Sequence, residues 1–293
     1  MDVSYLFEGC AKLKKASITD VNASTVRGIF ARCPVLEEAK MQRIKGTKSV
    51  SYLFTGCKSL TNVDLSGLDT TNLNYMNGMF EECISLKKLD LSDVYTGKVT
   101  YMDSMFKGCE NLTDLNIVGM DTSNVIGMSA MFRDCESLTT LDFTGFNTQN
   151  VKNMSNMFYG CDSFVTLDLR QFNTKNVTNM NQMFCWCNKL ESINLSSFDT
   201  TNVTDMGNLF MWCRSLKEVD LSSFDITNVV TKEDENNFFD YHALKKIKTP
   251  HKTGNQMIPL QDKYFDGVWV DSAGNTYTSL PMNATESIVL TTQ

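Results

Sequence analysis

The sequence predicts an α/β solenoid, a stack of similar turns that each contain one short β-strand and one short α-helix. Three observations lead there. A cysteine recurs every 26 residues along most of the chain, a phenylalanine precedes each of these cysteines by three residues, and two hydrophobic periodicities alternate within every unit. A period of about 20 to 50 residues is typical of solenoids, in which a unit buries its apolar face only when neighbours stack on it.

The repeat continues without a break through seven cysteines: Cys57, Cys83, Cys109, Cys135, Cys161, Cys187 and Cys213. Cys10 and Cys33 extend the series at shorter intervals. The full unit is Met-x-x-Met-Phe-x-x-Cys-x-x-Leu-x-x-Leu-Asp-Leu-Ser-x-Phe-Asp-Thr-x-Asn-Val. After an insertion rich in acidic and Asn residues, a degenerate last copy is predicted to place four residues in the Phe, Cys and two Leu slots: Phe238, Tyr241, Leu244 and Ile247.

Two local periods predict the elements inside a unit. The apolar residues before each cysteine recur at i, i+3, i+4 and i+7, as in Met102, Met105, Phe106 and Cys109, which is the spacing of one helix face. After the cysteine, Leu residues lead into the alternation of a β-strand. Strands of successive turns are expected to form a curved parallel sheet on the concave face, with the short helices on the convex face.

The repeat pattern divides the chain into three predicted parts. Residues 1–48 hold shorter, degenerate repeats, residues 49–248 hold the regular repeats and the degenerate last copy, and residues 249–293 form a β-rich C-terminal cap. In the cap, Trp269 and Val270, a turn over residues 271–275 and Tyr277 predict a β-hairpin, with residues 288–290 as a third strand. The terminal turn of a solenoid needs such a cover for its open core.

Composition restricts the classes of partner. The formal net charge of −7 and the scattered Lys and Arg residues argue against nucleic acid, because phosphate binding requires a basic patch. No run has the length of a membrane span, and the first residues lack the basic-then-apolar order of a signal peptide. Because Met1 falls inside a repeat, the chain is also consistent with a domain cut from a longer precursor.

Cysteine and methionine are abundant, but their positions favour packing over chemistry. The repeated cysteines and the methionines recur at fixed slots of the predicted inner helix face, as expected of core residues. A disulfide between successive turns is disfavoured, because packed helices lie farther apart than bonded cysteines allow. Free thiols and no metal are therefore predicted. Cys185 occupies a slot that Glu81 and Lys107 fill elsewhere, so an exposed thiol is expected there.

A recurring asparagine follows the Asp-Thr or Asn-Thr pair of most turns and is expected to satisfy backbone groups where the chain bends. This column consists of Asn72, Asn124, Asn150, Asn176, Asn202 and Asn228.

The outward strand residues form the candidate binding surface, in three columns that cross the turns. The middle column consists of Asp64, Asp90, Asn116, Asp142, Asp168, Asn194 and Asp220. One flank consists of Asn62, Lys88, Asp114, Thr140, Thr166, Ser192 and Glu218, and the other of Ser66, Ser92, Val118, Thr144, Arg170, Ser196 and Ser222. Carboxylates at the spacing of neighbouring strands repel unless water, hydroxyls or cations intervene. A polar, acidic face suited to a protein or glycan ligand is predicted, with the middle column and Arg170 as the candidate ligand-binding residues. A merely solvated sheet face is the alternative.

Enzyme chemistry finds no support in the sequence. The two histidines, His242 and His251, have no nucleophile motif, phosphate-binding glycine loop or metal-spaced cluster near them. No catalytic residue and no cofactor are predicted.

The 26-residue unit, for example from Leu195 through Met206 to Phe210 and Cys213, resembles the leucine-rich repeats of BspA-like bacterial surface proteins, a repeat also found in mycoplasma-type lipoproteins. The resemblance is strongest over residues 49–230 and looser over 1–48 and 231–248. It implies a non-catalytic, cell-surface or secreted bacterial protein that binds a host ligand, with the extracellular matrix as one candidate. An intracellular scaffold or effector module is the alternative, and a cytoplasmic location stays open with it.

Overall fold

The computed structural model describes residues 1–230, 238–239, 244–255, 257–260 and 267–293. The chain divides into two compact units, Met1–Asn147 and Thr148–Gln293. In both, successive turns of the repeat stack on one another, and the apolar residues of the repeat form the core. The predicted limits of the three sequence parts stay a prediction.

In the first unit, short parallel strands stack with the offset of the repeat. Strands β1 (Lys15–Thr19), β2 (Glu38–Gln42) and β3 (Asn62–Asp64) form one sheet, with Lys15 opposite Glu38 and Glu38 opposite Asn62. Strands β4 (Lys88–Asp90) and β5 (Asp114–Asn116) form another. β3 and β4 are not hydrogen-bonded to each other, and the strand expected over residues 140–142 is not formed. The parallel strands are confirmed, but they form short ladders within this unit.

The second unit repeats this arrangement and adds the cap. β6 (Thr166–Asp168) pairs with β7 (Ser192–Asn194), and β8 (Glu218–Asp220) pairs with β9 (Lys246–Lys248), all parallel. In the cap, β10 (Trp269–Val270) pairs with β11 (Thr276–Tyr277) and with β12 (Val289–Thr292), which confirms the hairpin and the third strand. β12 also pairs antiparallel with β9 and so covers the edge of the last repeat strand.

The predicted short helices are wrong, because no described residue is α-helical. The segment around each repeated phenylalanine, called here the turn segment, places residues of positive φ two before and two after the phenylalanine, as at Tyr52 (58°) and Gly56 (73°). An α-helix requires negative φ throughout, so these residues interrupt it. Within the described ranges there is consequently no helix with the length and apolar composition of a membrane span.

Backbone hydrogen bonds in the turn segments alternate between local and inter-turn partners. Leu53 N–H donates to the carbonyl of Val50 (3.2 Å), whereas Phe54 N–H donates to Met79 of the next turn (2.9 Å). This alternation joins neighbouring turns on the side away from the strands. It therefore satisfies the buried backbone groups without a helix.

The repeated phenylalanines stack along each unit. In the first unit Phe54, Phe80 and Phe106 lie 5.6 and 6.0 Å apart, with rings within 20° of parallel. The cysteine three residues later is buried in every turn except the first, where Cys10 is half-buried. Its thiol donates to the carbonyl of a phenylalanine in a preceding turn, as from Cys109 to Phe80 (3.1 Å). The predicted packing role of cysteine is confirmed.

The methionines also lie in the core, because the ten in the two repeated slots are at most 1% exposed: Met76, Met79, Met102, Met105, Met128, Met131, Met154, Met157, Met180 and Met183. Four members of the asparagine column have their predicted role, whereas Asn72 accepts from Lys98 Nζ instead (2.8 Å). The amides of Asn124, Asn176, Asn202 and Asn228 donate to carbonyls of the preceding turn, at 2.7 to 2.8 Å.

The register predicted for the degenerate last copy is partly wrong. Phe239, one residue later than predicted, stacks on Phe210 (5.9 Å, 2°), and Phe238 supplies the carbonyl that accepts from Phe210 N–H. Leu244 and Ile247 fill their predicted slots in the core, and Tyr241 lies outside the described residues. The stacking rings decide this register, because adjacent phenylalanines are indistinguishable in the sequence pattern.

Candidate functional site

The outward residues of the strands form a polar surface in each unit, called here the strand face. In β4, β6 and β8 the central residue is buried while its two neighbours are exposed, as the period of two requires. The flank and middle columns predicted from the sequence therefore do point outward on these strands.

The middle column has a structural role that the sequence did not reveal. Each Asp or Asn side chain accepts the backbone N–H two residues later, as Asp64 does from Ser66 (3.0 Å), and thereby ends the strand in an Asx turn. The same bond forms at the other members of the column: Asp90, Asn116, Asp142, Asp168, Asn194 and Asp220. Where the later residue is serine, its hydroxyl also donates, at 2.5 to 2.8 Å.

These bonds stabilise the charged form of the carboxylates. The hydroxyl and backbone N–H of Ser66 hold the pKa of Asp64 below its ordinary value, and Ser92 does the same for the pKa of Asp90. At Asp168 the side chain of Arg170 is the main cause of the lowered pKa. Each of these partners belongs to the same turn as its carboxylate, so the predicted intervention of hydroxyls and cations between carboxylates of neighbouring strands stays a prediction.

The strand face of the second unit contains an open groove of about 610 Å³. It lies over β6, β7 and the end of β8, and β7 and β8 are not hydrogen-bonded to each other. The groove brings together four of the predicted ligand-binding residues, Asp168, Arg170, Asn194 and Asp220, with Thr166, Ser192, Ser196 and Ser222 from the flanks. It therefore offers hydroxyl, amide, carboxylate and guanidinium groups within one cavity.

One guanidinium is held in place at this groove. Arg170 pairs with Asp168 through two parallel contacts, Nε to Oδ1 (3.0 Å) and Nη2 to Oδ2 (2.7 Å), and both side chains are exposed. Two turns further along the chain, Asp220 Oδ2 lies 3.2 Å from Lys248 Nζ. A ligand that bears carboxylate or hydroxyl groups would therefore meet charged side chains of the protein that are already oriented.

In the first unit, an open groove of about 520 Å³ lies where β3 and β4 part, and Asp64 and Asp90 line it. Asp90 and Asn116 line a second groove of about 410 Å³, beside the ion pair of Lys88 and Asp114 (3.2 Å). Asp142, the remaining predicted residue, lines neither groove. The predicted site is therefore divided among separate surfaces.

The prediction for Cys185 is wrong, because this residue is 2% exposed. Long side chains in the same slot lie along the surface and leave mainly their ends in solvent, as the ion pair of Lys107 and Glu81 shows (2.8 Å). A short cysteine in that slot is covered completely. No disulfide joins any of the ten cysteines, all within the described residues, and burial raises the pKa of Cys57 and Cys109 to about 12.

The described residues contain no group of three or more His, Cys, Asp or Glu side chains arranged to hold a metal ion. His251 is placed by a contact between its Nδ1 and the carbonyl of Ser222 (3.1 Å), at the end of the groove of the second unit. His242 lies outside the described residues.

Comparison with known proteins adds the following. None of the curated proteins matches the sequence. Similar solved structures include a leucine-rich cell surface protein from Faecalibacterium prausnitzii A2-165, at 16% identity and a TM-score of 0.41, covering 83% of this chain and 81% of that one. A leucine-rich repeat protein from Bacteroides ovatus ATCC 8483 has 19% identity and a TM-score of 0.36, covering 83% and 77%. A leucine-rich repeat protein from T. pallidum has 17% identity and a TM-score of 0.37, and the match covers 69% of this chain and 78% of that one.

A family profile matches most of the repeat region, in two overlapping segments over residues 25–142 and 127–249. The match confirms the resemblance to bacterial leucine-rich repeat proteins of the BspA-like and mycoplasma type. The chain belongs to the DUF285 family, described as a mycoplasma protein of unknown function.

Proposed function

We propose that this chain is a non-catalytic recognition module that binds a protein or glycan ligand through its strand face, at the surface of a bacterial cell or after secretion. The observation that carries the proposal is the groove of the second unit, where an oriented Arg170–Asp168 pair lies among hydroxyl and amide side chains. Repeat stacks offer extended surfaces for recognition, and polar groups that are already oriented lower the cost of binding. Adhesion to a host ligand is the role that the repeat motif favours.

The experiment begins with a screen of the purified protein against glycans and matrix proteins, followed by variants of the strand face. Substitutions must preserve the Asx turns, so Asp168→Asn and Asp220→Asn remove charge while keeping an acceptor, as Asn116 and Asn194 do naturally. These are combined with Arg170→Gln. Weaker binding by at least about tenfold is expected, because hydrogen bonds to charged groups contribute about 1.5 to 3 kcal/mol each.

Lys175→Gln provides the matched control, because Lys175 is exposed and outside the residues that line the groove. Its affinity is expected to equal that of the wild type. Unchanged binding by the triple variant, at equal thermal stability, would exclude the strand face of the second unit as the recognition surface.

A further inference from the structure

Two of the three tryptophans lie side by side in turn segments of the second unit, away from the strand face. Trp186 and Trp212 each follow a repeated phenylalanine by two residues, and their rings stack with centroids 5.2 Å apart and planes at 29°. Trp186 is 38% exposed, whereas the third tryptophan, Trp269, is fully buried. Neither ring lines the strand-face groove.

The backbone at this slot is unfavourable for an indole. Both tryptophans have positive φ, 62° at Trp186 and 63° at Trp212. Four other turns place glycine here, with the same sign of φ: Gly9, Gly56, Gly108 and Gly160. The remaining turns place Arg32, Glu82 and Asp134 here, also with positive φ, so the conformation belongs to the repeat and does not depend on an indole. The core does not require the rings, since glycine fills the slot in turns that stack in the same way.

One end of the tryptophan pair already carries a cation. The guanidinium of Arg214 lies 5.0 Å from the ring centroid of Trp212, so an Arg–Trp–Trp stack extends along the turns. Tryptophan is the most favourable ring for such cation–π contacts. The ring of Trp212 is therefore in contact with a guanidinium as well as with the ring of Trp186.

The opposite end of the stack ends over a glycine. Trp212 covers the face of Trp186 that is directed toward the following turn, so the other face is directed toward the preceding turn. Gly160 N–H donates to the carbonyl of Cys185 (2.8 Å), which places Gly160 in that adjacent position. Gly160 contributes no side chain beside Trp186, and Trp186 remains 38% exposed although Trp212 covers one of its faces.

A carboxylate borders the slot of Gly160. Asp162 lies two residues after Gly160, at the position that Arg214 occupies on the turn of Trp212. The side-chain amide of Asn188 donates to Asp162 Oδ1 (2.8 Å) and its backbone N–H does so at 3.3 Å, which fixes the carboxylate next to the turn of Trp186. An aromatic face beside a fixed carboxylate favours a cation.

We propose that the face of Trp186 not covered by Trp212 binds an arginine side chain of a protein partner, with Asp162 as the counter-ion, so that the bound guanidinium packs on Trp186 as Arg214 packs on Trp212. The net charge of −7 favours the approach of a basic partner. This site is separate from the strand-face groove, because neither Trp186 nor Asp162 lines that groove.

The test uses the full chain and an acetylated, amidated Gly-Ser-Arg-Ser-Gly peptide, with a citrulline peptide of the same sequence as the neutral match. The ¹H–¹⁵N NMR spectrum contains three indole N–H signals, and that of Trp269, which donates to the carbonyl of Leu260 (2.8 Å), serves as an internal reference. The arginine peptide is expected to shift the Trp186 signal saturably and leave Trp269 unmoved. The citrulline peptide is expected to bind at least about fivefold more weakly.

Two variants test the slot itself, one by removing a side chain and the other by adding one. Trp186→Gly removes the ring and places at this slot the residue found in four other turns. Gly160→Arg places an intramolecular guanidinium beside Trp186 and has a precedent in Arg32, which has φ of 56° at the same slot. Both are expected to weaken binding of the arginine peptide at least about fivefold, whereas Glu286→Gln, which removes an exposed negative charge outside the groove of the same unit, leaves it unchanged.

Equal binding of the arginine and citrulline peptides would overturn the proposal. So would unaltered affinity in Gly160→Arg, or an equal loss in Glu286→Gln, which would indicate diffuse electrostatic attraction. A shift of the Trp186 signal by a neutral hexose but not by the arginine peptide would assign the rings to a sugar instead.

Discussion

The buried threonine of the Asp-Thr or Asn-Thr pair is expected to stabilise the stack through its hydroxyl rather than through its apolar surface. Thr174 is fully buried, and its Oγ1 donates to the carbonyl of Asp199 in the next turn (2.9 Å) while accepting from Asp199 N–H (2.8 Å). The same two-way contact joins Thr122 to Asn147 and Thr200 to Asp225. One hydroxyl thus satisfies two backbone groups of the following turn.

Replacing Thr174 by valine keeps the shape of the side chain but leaves both backbone groups of Asp199 without that partner. Because an unsatisfied buried group costs about 1 to 3 kcal/mol and these contacts are only partly buried, we expect the free energy of unfolding to fall by about 2 kcal/mol. Valine is more apolar and favours strands more, so hydrophobicity alone predicts the opposite sign. Thr174→Ser keeps the hydroxyl and loses one methyl group, a cost of about 1 kcal/mol.

The measurement is urea unfolding followed by circular dichroism and by tryptophan fluorescence, which reports on the second unit because all three tryptophans belong to it. We expect the wild type to be the most stable, the Thr174→Ser variant to be less stable, and the Thr174→Val variant to be the least stable. A valine variant as stable as the wild type, or more stable than the serine variant, would refute the role assigned to the hydroxyl.

Three further predictions concern the core and the carboxylates. In a native thiol titration only Cys10 is expected to react quickly, since the other nine cysteines are buried, and a second fast thiol would contradict the burial of Cys185. Phe106→Ala is expected to lower the free energy of urea unfolding by about 3 to 5 kcal/mol, and Phe7→Ala by much less because Phe7 is 38% exposed; equal losses would contradict the stacking argument. The folded-state pKa of Asp64 is below its unfolded value, so its stabilisation is present above the unfolded pKa and is lost as pH falls through the folded pKa. An NMR titration of Ser66→Ala should therefore show the pKa of Asp64 returning toward its ordinary value.

The repeat itself, its core slots and the cap could be predicted from the sequence. Stacked turns must bury the same positions in each copy, so Met102, Phe106 and Cys109 recur with their equivalents at a constant interval. The hairpin at Trp269 could be predicted because alternation and turn residues are local signals. The outward direction of the strand-face columns followed from the same alternation.

The conformation of the turn segment could not be predicted from apolar spacing. A helix and a chain with alternating signs of φ can both bury residues at i, i+3, i+4 and i+7, and the pattern records only which side chains are inside. Glycines two residues before or after the repeated phenylalanine, such as Gly78 and Gly108, were a neglected signal of positive φ.

The local sequence determined which residues repeat, alternate and face inward, because those properties depend on neighbours along the chain. The tertiary structure alone decided the burial of Cys185, the register of Phe239 and the parting of β7 from β8 that accompanies the groove. Each of these depends on how one turn lies against the next. That contact joins residues more than twenty positions apart, which no local pattern specifies.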